Sequence, residues 1–233
     1  MGVDGLARYD GVADEYAAMF GDALDDPATS ALLMLLGPVR GARVLDVQCG
    51  EGRVARELAR RGADVVGVDI SSVLLDKARA AEERERLNVR YLHADATSAG
   101  VLVAEVFDAV VCNYGLSDID DLEGFLNTIA RVLRTDGTFA LSILHPCFPG
   151  WGKDVSSSWP PGGYYQEGWW RADGASSDLR RAVGSNHRML STYLNALGNS
   201  GFTIERVAEP TPPAEWMVTD PVPMFFVARC RKI

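Results

Sequence analysis

Asp46, Asp69 and Asp95 stand at or just past the ends of three apolar runs, and a short glycine loop, Cys49-Gly50-Glu51-Gly52, follows the first. Glycine has no Cβ, so such a loop lets a ligand approach the backbone closely. Gly50-x-Gly52-x-x-Ala55, with Asp69 further on, fits the dinucleotide fingerprint G-x-G-x-x-G/A and its ribose-binding acid. A pyrophosphate, however, wants backbone N–H groups and no nearby carboxylate. Three acids beside the loop suit a ligand with hydroxyls, an amine and a positive charge. His145, at the end of a later apolar run, is the candidate general base if the reacting group is a hydroxyl, and His187 is the second. His93 falls inside an apolar run and reads as structural.

The elements that position these groups alternate. Helical patterning from about residue 11 to 36 stops at Gly37-Pro38. Strands are expected at 44–47, 64–69, 89–93, 107–112 and 138–144, with helices at about 52–61, 72–86 and 122–133 between them. The 64–69 strand has an unbroken apolar interior, as in a parallel sheet covered on both faces. This βαβα rhythm predicts an α/β, doubly wound sheet. Ligands of such sheets bind outside the carboxyl ends of the strands, where Asp46, Asp69, Asp95, Asn113, Tyr114 and His145 fall. A Gly-, Pro- and Ser-rich segment at 146–185 breaks the rhythm. A helix over about 187–199 and two strands, 202–207 and 224–230, complete the chain, which reads as a single domain over 1–233.

At 233 residues, 47% of them hydrophobic, the chain can bury a full core. A formal charge of −9 argues against a nucleic-acid partner. Its four cysteines form no C-x-x-C pair and no zinc-spaced cluster with histidine, so reduced thiols and no metal are expected. The N-terminal residues lack a signal-peptide pattern, and no apolar stretch is long enough to span a bilayer, so a cytoplasmic location is expected.

S-adenosylmethionine carries the hydroxyls, amine and positive charge that the acids call for. At this point the chain resembles a class I S-adenosylmethionine-dependent methyltransferase of the small-molecule type related to the ubiquinone-biosynthesis enzymes. The resemblance rests on Val44-Leu45-Asp46 with Cys49-Gly50-Glu51-Gly52, Val68-Asp69-Ile70-Ser71, His93-Ala94-Asp95-Ala96, Phe107-Asp108-Ala109-Val110-Val111 and Val132-Leu133-Arg134-Thr135-Asp136-Gly137-Thr138. Tyr9-Asp10-x-x-Ala13-x-x-Tyr16 is similar to the helix that lids the cofactor in that family, making 1–38 an N-terminal lid. The resemblance implies a mostly parallel, seven-stranded Rossmann-like sheet with an antiparallel last strand. It also implies that Asp69 takes the ribose hydroxyls, Asp95 the adenine amine, and Ala96 the ring through its N–H. Ile70 would pack on adenine, Gly50 and Gly52 would pass under the methionine, and Asp46 and the Asn113 carbonyl would serve the ammonium. Tyr16 would close over the cofactor.

One residue departs from the pattern: Gln48 stands where the family has glycine, sometimes alanine. A left-handed backbone there would cost roughly 1–2 kcal/mol. The expectation is an ordinary φ, with the side chain turned aside to a neighbour. The alternative is a Gln48 side chain that reaches the methionine moiety and weakens cofactor binding, so Gln48 is counted with the cofactor-contacting residues.

The segment 146–185 holds four of the five tryptophans, Trp151, Trp159, Trp169 and Trp170. Disordered segments are poor in aromatics, so a lid giving aromatic walls to a small acceptor is expected. Tyr9, Tyr114, Trp151, Trp169 and Trp170 are its candidate substrate contacts, and a satellite cluster or a homodimer contact is the alternative. The expected activity is methyl transfer to O, N or C of a small, largely apolar acceptor. The competing readings are an NAD-dependent oxidoreductase and a non-catalytic cofactor-binding protein on the same scaffold.

Overall fold

The computed structural model describes residues 7–20, 23–97, 106–148, 160, 162–171, 178–214 and 222–233. Its strands are β1 (Arg43–Val47), β2 (Asp64–Asp69), β3 (Arg90–His93), β4 (Phe107–Asn113), β5 (Leu133–Leu144), β6 (Gly168–Trp170), β7 (Ser185–His187), β8 (Phe202–Ala208) and β9 (Phe225–Lys232). The helices are α1 (Ala13–Phe20), α2 (Pro27–Leu36), α3 (Arg53–Arg60), α4 (Ser72–Glu85), α5 (Leu122–Val132), α6 (Asp178–Val183) and α7 (Leu190–Asn199).

Seven strands form one sheet in the order β3-β2-β1-β4-β5-β9-β8. Strands β1 to β5 pair in parallel, and β9 runs antiparallel to both β5 and β8. This is the expected doubly wound sheet with an antiparallel last strand. Successive side chains of a strand point to opposite faces, and the core divides accordingly. Leu45, Val47, Val66, Val68 and Val110 pack with Phe125 and Ile129 of α5 and Leu197 of α7. Val44, Val65, Ala109 and Val111 pack with Leu32 and Leu36 of α2 and Val54 and Leu58 of α3. Both faces of the central strands β1, β2 and β4 are covered, whereas the edge strands β3 and β8 are largely exposed. The strand order reverses direction between β1 and β4, so their carboxyl ends flank the ligand crevice expected of such a sheet.

Several elements differ from the sequence expectation. The helical stretch at about 11–36 is two helices, because Asp26 caps a new start: its Oδ1 accepts the Thr29 N–H at 2.9 Å and Pro27 opens α2. Strand β5 begins at Leu133 rather than 138, the pairing shifting register between Phe107 and Ala109. The helix expected from His187 begins at Leu190, and His187 instead ends β7. The segment 146–185, which showed little periodicity, contains β6 and α6, and β6 pairs antiparallel with β7.

Candidate functional site

The loop after β1 turns hard. Cys49 N–H still pairs with the Val68 carbonyl at 3.1 Å, and Gly52 N–H closes onto the Cys49 carbonyl at 2.9 Å. Gly50 and Gly52 both take positive φ, +53° and +79°. A Cβ on Gly52 would collide with the Tyr91 hydroxyl, whose ring reaches the loop by lying across Gly67, its register partner. Below the loop, the buried Arg56 guanidinium donates to the Glu51 carbonyl at 2.6 Å and lies 3.1 Å from Glu85. The loop is thus held from beneath by an aromatic ring and an ion pair.

Gln48 corrects the sequence expectation: its backbone is left-handed, φ +57°. The chain bends out of β1 at this residue to begin the glycine turn, so a side chain sits where glycine would be relaxed, at roughly 1–2 kcal/mol of strain. The side chain does find a neighbour: the Cys112 thiol donates to Oε1 at 3.7 Å.

Asp69 ends β2 with both oxygens engaged, Oδ2 accepting the Gly50 N–H at 2.7 Å and Oδ1 the Ser71 N–H at 2.8 Å. Burial raises its pKa, and these N–H groups oppose the rise. Asp46 is 1% exposed, and burial pushes it up to about 8, against a hydrogen bond from Ala55 N–H at the start of α3. Its Oδ2 has no hydrogen-bond partner. Asp95 accepts from the Thr97 N–H and hydroxyl through Oδ1, at 2.8 and 2.7 Å.

These groups share one cleft over the strand ends. Its walls are Val68, Asp69 and Ile70 from β2, Ala94 to Thr97 after β3, Gln48 on the floor, Asp118 to Asp121 beyond β4, and Arg8 from the N-terminal segment. That segment crosses the cleft as a strap. Arg8 grips Asp120 at 2.7 and 2.8 Å, Tyr9 donates to Asp118 Oδ2 at 2.8 Å, and the Ser71 hydroxyl donates to Asp10 at 2.5 Å. Tyr16 stacks edge-on against Tyr9, centroids 5.3 Å apart, and its ring covers Gly50. Burial, with Asp69 next, raises the Tyr16 phenol.

A methyltransferase-domain family profile matches residues 45–141, the span from β1 into β5. A crystal structure of an S-adenosylmethionine dependent methyltransferase from Mesorhizobium loti is 30% identical, with a TM-score of 0.73 over 89% of this chain and 99% of that one. The chain belongs to the class I S-adenosylmethionine-dependent methyltransferases. A putative S-adenosylmethionine dependent methyltransferase from Listeria monocytogenes follows at 25% identity and a TM-score of 0.71, over 88% of this chain and 97% of that one. The ubiquinone biosynthesis O-methyltransferase of Dinoroseobacter shibae is 32% identical over 138 residues, 59% of this chain and 52% of that protein. The match thus spans about half the length of that curated relative. The cofactor of this methyltransferase is S-adenosylmethionine.

Within the methyltransferase, the sequence-predicted residues separate into two groups. Gln48, Asp69, Ile70, Asp95 and Ala96 line the cleft together. Asp46, Gly50 and Gly52 are not on its lining; Gly50 and Tyr9 reach it through Asp69 and Asp118, and the Tyr16 ring covers Gly50. Asn113 and Tyr114 lie outside the lining, and both side chains brace the fold. Asn113 Nδ2 donates to Thr29 and its Oδ1 accepts from Ser142, at 2.9 and 2.6 Å. The Tyr114 hydroxyl donates to the helix-capping Asp26 at 2.6 Å. His145 is buried between Phe148 and Phe226. Its Nδ1 accepts the Cys147 N–H at 3.2 Å, so Nε2 bears the proton it shares with Glu209 at 2.9 Å. No lone pair is left for a base. His187 donates Nε2–H to the Tyr164 carbonyl at 2.8 Å beneath that tyrosine's ring. Neither histidine lines the cleft.

Trp169 and Trp170 lie on β6, while Trp151 and Trp159 fall outside the described residues. Trp169 flanks Arg8, 5.7 Å from its guanidinium, and its β-partner Asn186 donates to Asp120 at 2.8 Å. The ribbon β6–β7 therefore touches the rim through Asp120. Sequence reasoning missed Arg8, Thr97 and the run Asp118-Ile119-Asp120-Asp121. The available signal was this acidic run just past β4, on the rim where ligands bind.

Among the described residues, no group of three or more His, Cys, Asp and Glu side chains could hold a metal, and no helix is long and apolar enough to cross a membrane.

Proposed function

We propose that the protein transfers the methyl group of S-adenosylmethionine to a small, largely apolar organic acceptor in the cytoplasm. The observation that carries this reading is one cleft lined by Asp69, Asp95, Ile70 and Ala96, with the orphaned Oδ2 of Asp46 on β1, whose carboxyl feels the Asp69 charge. The donor set fits the cofactor. Asp69 would accept the ribose hydroxyls on lone pairs its two N–H donors leave free, and Asp95 Oδ2 would accept the adenine amine. Ala96 N–H would serve the ring, whose faces would lie against Ile70 and Ile119. Gly50 and Gly52 would run beneath the methionine, with Asp46 and the Asn113 carbonyl on its ammonium side. A diphosphate would meet Asp69, Asp95, Asp118, Asp120 and Asp121 in the same space, which argues against an oxidoreductase.

Bound there, the cofactor supplies an electrophilic methyl group on a sulfonium. The protein's share of catalysis is to hold an acceptor in line with it and exclude water, and orientation can supply about 7–11 kcal/mol of the barrier. Arg8, Tyr9 and Tyr16 close the cleft from the N-terminal side. Trp169 and Trp170, on β6, would wall the acceptor site. Relatives named as O-methyltransferases favour oxygen over nitrogen or carbon as the acceptor atom. His145 and His187 would then act as supports for the strand ends rather than as bases.

The test is transfer of labelled methyl from S-adenosylmethionine to a panel of phenols, amines and activated carbons. Labelled product that disappears in Asp69→Ala supports the reading. Binding of S-adenosylhomocysteine without turnover on any acceptor would support the non-catalytic alternative, for which the strained Gln48 is the motive. Deleting 151–170 should abolish acceptor binding and leave cofactor affinity within a few fold.

A further inference from the structure

Gln48 is the one left-handed, non-glycine residue among the described residues that line the cleft. Backbone strain of this kind persists at sites where the side chain has a use. The carboxamide leans from the end of β1 toward the turn after β4: Oε1 takes the Cys112 S–H and lies against Gly115, where a Cβ would collide with it. Oε1 is the Gln48 atom set against both Cys112 and Gly115, which turns the NH2 end away from them. The NH2 end is therefore the one left for the cleft, and no hydrogen bond engages it.

Strand order then says what it meets. Asp95 follows β3 and Asp69 ends β2, so adenine and ribose occupy the β3–β2 side of the crevice. Gln48, between β1 and β4, lies at the amino-acid end of the cofactor. That end carries the cofactor's one anion, a carboxylate, in a cleft walled by five carboxylate side chains. The Arg8 and Thr97 side chains on the lining already have partners: Arg8 has Asp120 and the Asp118 carbonyl, and Thr97 has Asp95. We infer that the Gln48 carboxamide donates to the carboxylate of the cofactor's methionine moiety, a contact glycine at this position could not make. A neutral donor suits the place, because a cation there would pair with the surrounding acids or oppose the sulfonium. The inference rests on the cofactor placement proposed above and adds a ligand to it.

Titration calorimetry with S-adenosylhomocysteine and with its decarboxylated counterpart, which keeps the ammonium, separates the two. Gln48→Gly accepts the left-handed backbone, and Gln48→Asn tolerates it while falling one methylene short. Both variants should bind S-adenosylhomocysteine about tenfold or more weakly, the size of a hydrogen bond to a charged group, and bind the decarboxylated compound within about twofold of wild type. Variants that bind both compounds as tightly as wild type, or that lose both equally, would overturn the inference. Wild-type protein that binds neither would overturn the cofactor placement itself, and this contact with it.

Discussion

Asp46 is an acid that the fold keeps protonated. Its pKa is pushed up to about 8 by burial, so between the ordinary carboxylate range and about pH 8 the folded chain holds a proton that the unfolded chain has released. The stability this group contributes therefore falls as pH rises through that window. A cationic ligand beside it reverses the balance and expels the proton. At pH 7 the enthalpy of S-adenosylmethionine binding should vary with the ionisation enthalpy of the buffer, with a slope approaching about one proton released. Asp46→Asn should flatten that slope. An unchanged slope would remove Asp46 from the ammonium side. Gly52 makes a second prediction at this scale. Its φ of +79° and the Tyr91 hydroxyl beneath it leave no room for a methyl group. Gly52→Ala should lower stability by about 1–2 kcal/mol from strain alone, read as a fall in urea midpoint, with cofactor affinity falling as well. Residue chemistry of this kind was legible in part. The acids and glycines announce a cationic nucleoside, but nothing local distinguishes a base from a brace. His145 is excluded as a base only because its two ring nitrogens meet Cys147 and Glu209, partners 2 and 64 residues away in sequence.

The elements were legible where burial is uniform. Strand β2 reads as an unbroken run from the sequence and is buried from Val65 onward in the fold. The split between α1 and α2 was written in Asp26-Pro27, a cap followed by a first-turn proline, yet continuous apolar patterning hid it. The ribbon β6–β7 was not legible, because strands of three residues carry too little periodicity. The N-terminal strap is held by side chains rather than by a packed core, so it should open readily. Burial alone would raise the Asp120 carboxyl, but Arg8 and Asn186 hold it below the usual carboxylate range. Arg8→Ala removes a partly exposed ion pair and a ring contact with Trp169. Such pairs contribute about 0.2–1 kcal/mol, so cofactor release measured by stopped flow should speed up by a few fold, up to roughly fivefold. Release at the wild-type rate would show that the strap does not gate the cleft.

At the scale of the whole molecule, one sheet holds both the core and the cleft, so ligand and fold should be coupled. At a concentration about 100-fold above its dissociation constant, S-adenosylhomocysteine should add about 2.7 kcal/mol, which corresponds to a rise in Tm of about 5–10 °C for a chain of this size. NAD should give no rise, and a rise with NAD alone would revive the dinucleotide reading of Gly50 and Gly52. A cavity at the sheet centre tests the coupling from the other side. Leu45 is fully buried in β1, directly below the loop. Leu45→Ala should cost about 2–5 kcal/mol and weaken cofactor binding together with stability.

The order of apolar runs, the acids that close them and the glycines after the first were enough to determine a wound parallel sheet and a ligand crevice at its carboxyl edge. These features are local: a central strand such as β2 declares its two buried faces in its own apolar run, and a glycine loop after a strand needs no distant partner. What the tertiary structure decided is which polar groups remain available to a ligand once the chain has folded. Asn113, Tyr114, His145 and His187 are engaged by partners far away in sequence, whereas Arg8 and Asp118 to Asp121, about 110 residues apart, are brought together on the cleft. Gln48 shows the division most directly: its identity was visible at once, but its left-handed backbone follows from the bend out of β1, and the direction of its amide from Cys112 and Gly115.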